Sequence, residues 1–401
     1  MTFVFNGGPG AASAYLHLGM VGPRVVELGP GHDDGTTPKL ADNPDSWLAF
    51  TDLVFIDPVG TGWSRAASDD GAAGFFGVRQ DAESLAKVIA LYTLKNGRLA
   101  SPKYLLGESY GGFRAAKVAS ALKDSQGILV SGIAMVSPMI DGRYLSGADD
   151  DPTIAALYLP SLAAAEMERS GNFSPERVAE AERFAMTDYL VALAGAPPVG
   201  ARADELYSRV AQLTGLPQDA VSQTRGFVNS LYAKQSAGSG RVASPYDAGQ
   251  TAADAYPEQV SVYNDDPILD GYTRAYGAAF AAYARDELGF RSQMTYTLLN
   301  TEVNRRWDWD GGRRNASASG DLKDLLSVIP SLKVTILHGY SDVLTPYGPS
   351  RFILDHLPPA LAKGRTALKL YRGGHMFYTN LASRRAAAID AKAFYQGGDL
   401  N

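Results

Sequence analysis

The segment Gly107-Glu108-Ser109-Tyr110-Gly111 constrains the fold more than any other, because it lies between an apolar run, Tyr104 to Leu106, and a helical pattern through Phe113, Ala116 and Ala119. A strand that turns directly into a helix crowds its own backbone. Small residues flanking a serine relieve that crowding and lift the hydroxyl outward. Ser109 is therefore the expected nucleophile at the top of a parallel α/β sheet. The plainer alternative is a Gly-rich turn with an incidental serine. To decide against it, the chain must supply a base beside the hydroxyl and an acid that orients the base.

Five histidines are available. His375, in Arg372-Gly373-Gly374-His375-Met376, follows the last strand-like run, and Asp342, in His338-Gly339-Tyr340-Ser341-Asp342, follows the one before it. Alone, a loop aspartate reads as a turn former and a lone histidine as a satisfied polar residue. Placed after successive strands in the order Ser, Asp, His, they match the triad order of α/β-hydrolases. His338, at the end of the strand before Asp342, fits either a place lining the floor of the site or a packing role, and His17, His32 and His356 carry no motif.

Apolar, β-rich runs occur at Thr2 to Phe5, Leu53 to Ile56, Tyr104 to Leu106, Ile133 to Val136, Val334 to Leu337 and Leu368 to Tyr371. Each is bounded by Gly, Pro, Asp or Ser, as buried parallel strands usually are. Helical segments such as Asp81 to Leu94 and Phe113 to Leu122 alternate with them, giving a mostly parallel sheet flanked by helices. Between about Asp151 and Arg314 strand signals are scarce and Ala-rich amphipathic patterns take over. Ser174-Pro175-Glu176 marks a helix start with Gly195 as its stop, and a second helix is expected from about Tyr272 to Leu288. The division read from this is an α/β core over 1–150, a helical cap insertion over 151–314, and the rest of the core over 315–401. Flexible points are expected at Ala237-Gly238-Ser239-Gly240 and from Asn315 to Gly320. The insertion is expected to cover the mouth of the site and select side chains without supplying triad members.

Composition removes other classes. Of 401 residues 45% are hydrophobic and 20% charged, ordinary for a globular enzyme. The balance of 37 Lys+Arg against 43 Asp+Glu contains no basic footprint for nucleic acid. Cysteine is absent, so disulfides, thiolate catalysis and cysteine-bound metals are excluded. No histidine pair has metal-site spacing, no cofactor is called for, and no stretch approaches the length of a membrane span. The chain opens on a strand-like run with no signal-peptide pattern, from which an amino-terminal truncation is expected.

The loop Asn6-Gly7-Gly8-Pro9-Gly10 follows the first strand and is poor in side chains. An oxyanion hole takes one backbone N–H from the residue after the nucleophile and one from an early loop, which makes Tyr110 and Gly8 the candidates. The loop has neither G-x-G-x-x-G nor a Walker lysine, so a phosphate cradle lacks its signature.

Five ordered segments resemble the serine carboxypeptidases: Phe5-Asn6-Gly7-Gly8-Pro9-Gly10, Asn43-Pro44-Asp45-Ser46-Trp47, Phe55-Ile56-Asp57-Pro58-Val59-Gly60-Thr61-Gly62, Gly107-Glu108-Ser109-Tyr110-Gly111-Gly112 and Gly374-His375-Met376. The resemblance covers Thr2 to about Ser137 and about Leu332 to Phe377. It implies release of carboxyl-terminal residues from a peptide substrate through an acyl-enzyme on Ser109, with Asn6, Gly7 and Glu108 binding the terminal carboxylate. Glu108 can do so only when protonated, because two negative charges in one pocket repel. The family's second glutamate, which shares that proton, has no counterpart where Met20 stands before Gly22-Pro23. An alignment on Gly29-Pro30 would supply Glu27 instead. With Met20 there, nothing shares a proton with Glu108, and activity on free-acid peptides is expected to fall already at modestly acid pH. The missing cysteines depart from the disulfide-bearing eukaryotic members and imply a bacterial-type relative. The family's usual export implies periplasm or secretion, and oligomeric state is not readable. An esterase or acyltransferase with the same triad is the competing enzyme reading; a non-catalytic binding module is the competing reading from another class.

Overall fold

The computed structural model describes residues 1–28, 35–259 and 266–398. Six parallel strands form the main sheet: β1 (Thr2–Phe5), β2 (Leu53–Phe55), β3 (Tyr104–Glu108), β4 (Gly132–Val136), β5 (Lys333–Gly339) and β6 (Thr366–Tyr371). Their order is β2-β1-β3-β4-β5-β6. Successive strand side chains alternate between the faces, so Phe3, Phe5, Leu105, Ile133, Met135 and Ile336 enter one core while Val4, Leu106, Ala134, Val136 and Leu337 enter the other. Both faces are covered, which is why these strands read as continuous apolar runs and not as alternating ones.

Helices α1 (Val78–Lys95) and α2 (Tyr110–Gln126) cover the first face with Leu85, Ile89, Phe113 and Leu122. Between β4 and β5 lie α3 (Pro152–Arg169), α4 (Pro175–Phe184) and α5 (Ala201–Thr214), whose Leu159, Leu162, Val178 and Val210 share a third core. The Ser174 hydroxyl accepts from Arg177 N at the start of α4, and Gly195 follows the last helical residue of the segment. Helix α6 (Pro267–Asp286) belongs to the same stretch of sequence, yet its Tyr272, Ala275, Tyr276 and Ala279 pack on the second face of the sheet. It begins earlier than expected because Asp266 caps it, accepting from Ile268 N and Leu269 N ahead of Pro267.

Two antiparallel ribbons were not expected: Arg24–Glu27 with Lys39–Asp42, and Arg241–Ala243 with Thr251–Ala253. The segment expected to be flexible from Asn315 to Gly320 is packed instead. Ala316 and Ala318 are buried, Ala318 N donates to Ile140 O at 2.9 Å, and helix α7 (Ser319–Val328) starts inside the segment. On the second face the last helix, α8 (Leu381–Tyr395), adds Ala387, Ala391 and Phe394. Among the described residues no helix is long and apolar enough to cross a membrane, and no group of three His, Asp or Glu side chains could hold a metal.

Candidate active site

Ser109 sits at the turn from β3 into α2 with φ 60° and ψ −126°, a left-handed conformation that a serine adopts only where its surroundings enforce it. They do so from both sides: Ser109 N donates to Val136 O at 2.9 Å and Ser109 O accepts from Met139 N at 3.1 Å. Gly107 is obligatory, since an added Cβ would stand 1.9 Å from Gly111 O. The Ser109 hydroxyl is thereby held at the carboxyl end of a central strand.

Asp342 and His375 leave the ends of β5 and β6. Fully buried, Asp342 accepts from Leu344 N and Thr345 N through Oδ1, both at 2.9 Å, while its Oδ2 stands 2.9 Å from His375 Nδ1. With Nδ1 committed to the carboxylate, the ring's Nε2 edge is the one left for a proton from Ser109; no hydrogen bond joins hydroxyl and imidazole in this state. Burial pulls His375 down, but the Asp342 charge and hydrogen bond, with Glu108 behind them, raise it above its ordinary value. Thr345, which the sequence reading missed, donates to Asp342 Oδ2 at 2.9 Å and lies 3.0 Å from His375 Nδ1. The only trace in sequence is the Asp-x-x-Thr spacing of a polar turn.

The base loop is held partly by the stretch between β4 and β5. His375 N donates to Tyr246 O at 2.5 Å, Val343 N to Pro245 O at 3.1 Å, and the Ser341 hydroxyl to Asp247 Oδ1 at 2.7 Å. The Tyr246 ring meets the imidazole edge-on, centroids 4.9 Å apart.

The Gly loop packs against the turn that carries Ser109. Gly7 abuts the elbow so closely that a Cβ on it would stand 2.6 Å from both Tyr110 N and Glu108 O. The next residue, Gly8, has φ 99° and precedes a cis bond to Pro9. Its N–H has no protein acceptor among the described residues, and the Tyr110 N–H, first in α2, has none within the helix.

Glu108 is buried beside Ser109 and accepts from Asn6 Nδ2 and from the Tyr378 hydroxyl, which lies 2.9 Å from Oε1 and 3.0 Å from Oε2. Asn6 Oδ1 accepts from Leu16 N at 3.1 Å, which fixes the amide with its NH₂ towards Glu108. Burial lifts Glu108 to about 7, against the opposing pull of His375, Tyr378 and Asn6. The expectation that activity falls at modestly acid pH for want of a proton-sharing partner took no account of this burial, which together with the Asp342 charge raises the group. Tyr378 was not foreseen either.

Two of the other histidines, His338 and His17, are poor bases. Burial pulls both His338 and His17 down to about 4; His338 lies fully buried 3.9 Å from Asp342 Oδ2, and His17 stacks on Phe55. His356 bonds its own helix through Phe352 O, and His32 lies outside the described residues, as do Gly29 and Pro30.

The model of the serine carboxypeptidase family matches residues 2–380. The chain belongs to the serine carboxypeptidase family. Among its relatives, carboxypeptidase sxa2 of Schizosaccharomyces pombe is 33% identical over 143 residues, 34% of this chain and 26% of that protein. The pheromone-processing carboxypeptidase kex1 of Sclerotinia sclerotiorum is 35% identical over 119 residues, 29% of this chain. The matched stretch spans only 17% of that relative's own length. The crystal structure of a prohormone-processing carboxypeptidase, Kex1(delta)p from Saccharomyces cerevisiae, superposes with a TM-score of 0.60 at 16% identity, covering 98% of this chain and 82% of that one. The fold is that of the α/β hydrolases.

In this serine carboxypeptidase family member Met20 is fully buried in the turn His17–Val21 and shares the core that contains Tyr378. Glu27 is exposed on the first ribbon opposite Lys39 and is not a partner of Glu108.

Proposed function

We propose that the chain is a serine-type carboxypeptidase that releases carboxyl-terminal residues from peptides. Ser109 Oγ attacks the carbonyl carbon of the last peptide bond as His375 Nε2 takes the hydroxyl proton, and Asp342 holds the imidazolium that forms. The Gly8 and Tyr110 N–H groups face the oxyanion. When the tetrahedral intermediate collapses, His375 returns the proton to the amine of the departing residue, leaving an acyl-enzyme on Ser109. Water activated by the same imidazole then attacks the ester and restores the hydroxyl. Asn6, the Gly7 backbone and protonated Glu108 hold the terminal carboxylate.

The observation that carries this reading over an esterase or acyltransferase is Glu108: a buried carboxyl beside the nucleophile, raised to about 7 and hydrogen-bonded to Asn6. Near neutral pH such a group can donate to a carboxylate, a property that ester or acyl transfer does not need. The test compares a blocked dipeptide bearing a free carboxylate with its amide-capped twin below pH 7. A strong preference for the free acid is expected. Equal rates on the two would transfer the assignment to the esterase reading.

A further inference from the structure

Among the described residues the Tyr378 hydroxyl is the one polar group that touches both oxygens of Glu108, at 2.9 and 3.0 Å, and it comes from the loop that also carries His375. Its ring is fully buried, and space for it exists because residue 19 is glycine: an added Cβ there would stand 2.5 Å from Tyr378 Cε2 and 2.8 Å from Tyr276 Oη. Asn6 approaches only Oε2. Without Tyr378 the carboxyl would be fixed at one oxygen and free to swing about its own axis.

We propose that Tyr378 is a positioning residue for Glu108, its hydroxyl fixing the plane of the carboxyl so that Asn6 and Glu108 present their donors to a substrate carboxylate together. The proposal rests on the carboxylate-binding reading above. Tyr378 and Asn6 both donate, and a donor favours the ionised carboxylate; burial opposes them and prevails. The charged and titratable groups around Glu108 are His375 and Asp342 on the strand-end loops, and the hydroxyls of Tyr15, Tyr246, Tyr276 and Tyr378. Tyr378 alone among these tyrosines bonds Glu108 directly.

Tyr378→Phe removes the hydroxyl and keeps the ring. On the free-acid dipeptide KM is expected to rise roughly fivefold at acid pH, the scale of one lost hydrogen bond. The loss on the amide-capped twin should be several times smaller. The alkaline limb of kcat/KM should move to higher pH, because a donor favouring the ionised form is gone. A purely structural role would lower both substrates alike and leave that limb in place, which overturns the proposal. Glu108→Gln, run in parallel, separates the two levels. If it extends the limb while Tyr378→Phe does not, the positioning role fails and carboxylate binding stands; if Glu108→Gln also leaves limb and preference untouched, both fall. Should Tyr378→Phe fail to label with a fluorophosphonate, Gly19→Ala, which displaces the ring with its hydroxyl intact, is read by the same preference and limb. Unchanged values in a labelling-competent Gly19→Ala enzyme also overturn the proposal.

Discussion

Arg114 Nε stands 2.6 Å from Asp81 Oδ2 in an ion pair with both side chains enclosed, and the same guanidinium donates to the carbonyl of Asn6. Through this one side chain α1, α2 and the Gly loop are tied together, so the position of Asn6 beside Glu108 depends on a charge pair behind it. Breaking such a pair leaves an uncompensated buried charge.

Asp81→Ala is therefore expected to destabilise the fold by about 3–5 kcal/mol, read from denaturant midpoints. The double change Asp81→Leu with Arg114→Met should recover much of that, because no charge is stranded. It should still lose preference for free-acid peptides, since the Asn6 carbonyl has lost its donor. Equal stability of Asp81→Ala and the parent would show that the pair anchors nothing.

Ser109→Ala and His375→Ala are each expected to lower turnover by roughly 10⁴-fold or more, with Asp342→Asn costing a similar amount or somewhat less. A Ser109→Ala, His375→Ala double variant should be little worse than the worse single one, because the groups act as a unit. Near-normal turnover in Ser109→Ala would remove the nucleophile assignment.

The sheet and the triad candidates were legible because their signals are local. Each of the six strands is a short apolar run between breakers, and Gly107, Ser109 and Gly111 lie within five residues of one another. What escaped acts across distance. Tyr378 meets Glu108 from 270 positions away, with nothing near either residue to announce it. Glu108 is raised to about 7 chiefly by enclosure, with the Asp342 charge adding to it, and enclosure is a property of the folded chain. The ribbons were missed because Arg24–Glu27 and Lys39–Asp42 are four residues long and partly charged. The stretch between β4 and β5 was expected to cover the site and select side chains without supplying triad members; that its Pro245, Tyr246 and Asp247 also hold the loops of Asp342 and His375 was not readable from local pattern.

That last contact is tight enough to test with one methyl group. A Cβ on Gly374 would stand 2.1 Å from Tyr246 O and 2.3 Å from Asp247 Cα, both backbone atoms that cannot turn aside. Gly374→Ala is expected to slow fluorophosphonate labelling of Ser109 by about 10²-fold through misplacement of His375. Gly320→Ala, exposed in the first turn of α7 with nothing within 4 Å of the added carbon, serves as the control. Equal labelling rates in the two variants would mean that the Tyr246 contact does not position the base.

The raised Glu108 carries an expectation for stability as well as for activity. Its ordinary value is 4.5 and burial takes it to about 7 in the folded chain. A carboxyl raised in this way favours the fold while protonated; the contribution is complete below about 4.5 and is lost as pH climbs to about 7. The shift corresponds to about 3 kcal/mol as an upper bound. Glu108→Gln does not titrate, so relative to the parent its unfolding free energy should gain progressively across that window and level off above it. On a free-acid peptide the same variant should hold its kcat/KM to higher pH, because the ionised glutamate that repels substrate is gone while an amide donor remains. The two measurements share one cause, so both differences should develop with a midpoint near 7 for activity and within the window of about 4.5 to 7 for stability. A stability gap independent of pH would show that Glu108 is not raised by burial, and an unchanged activity profile would remove it from carboxylate binding.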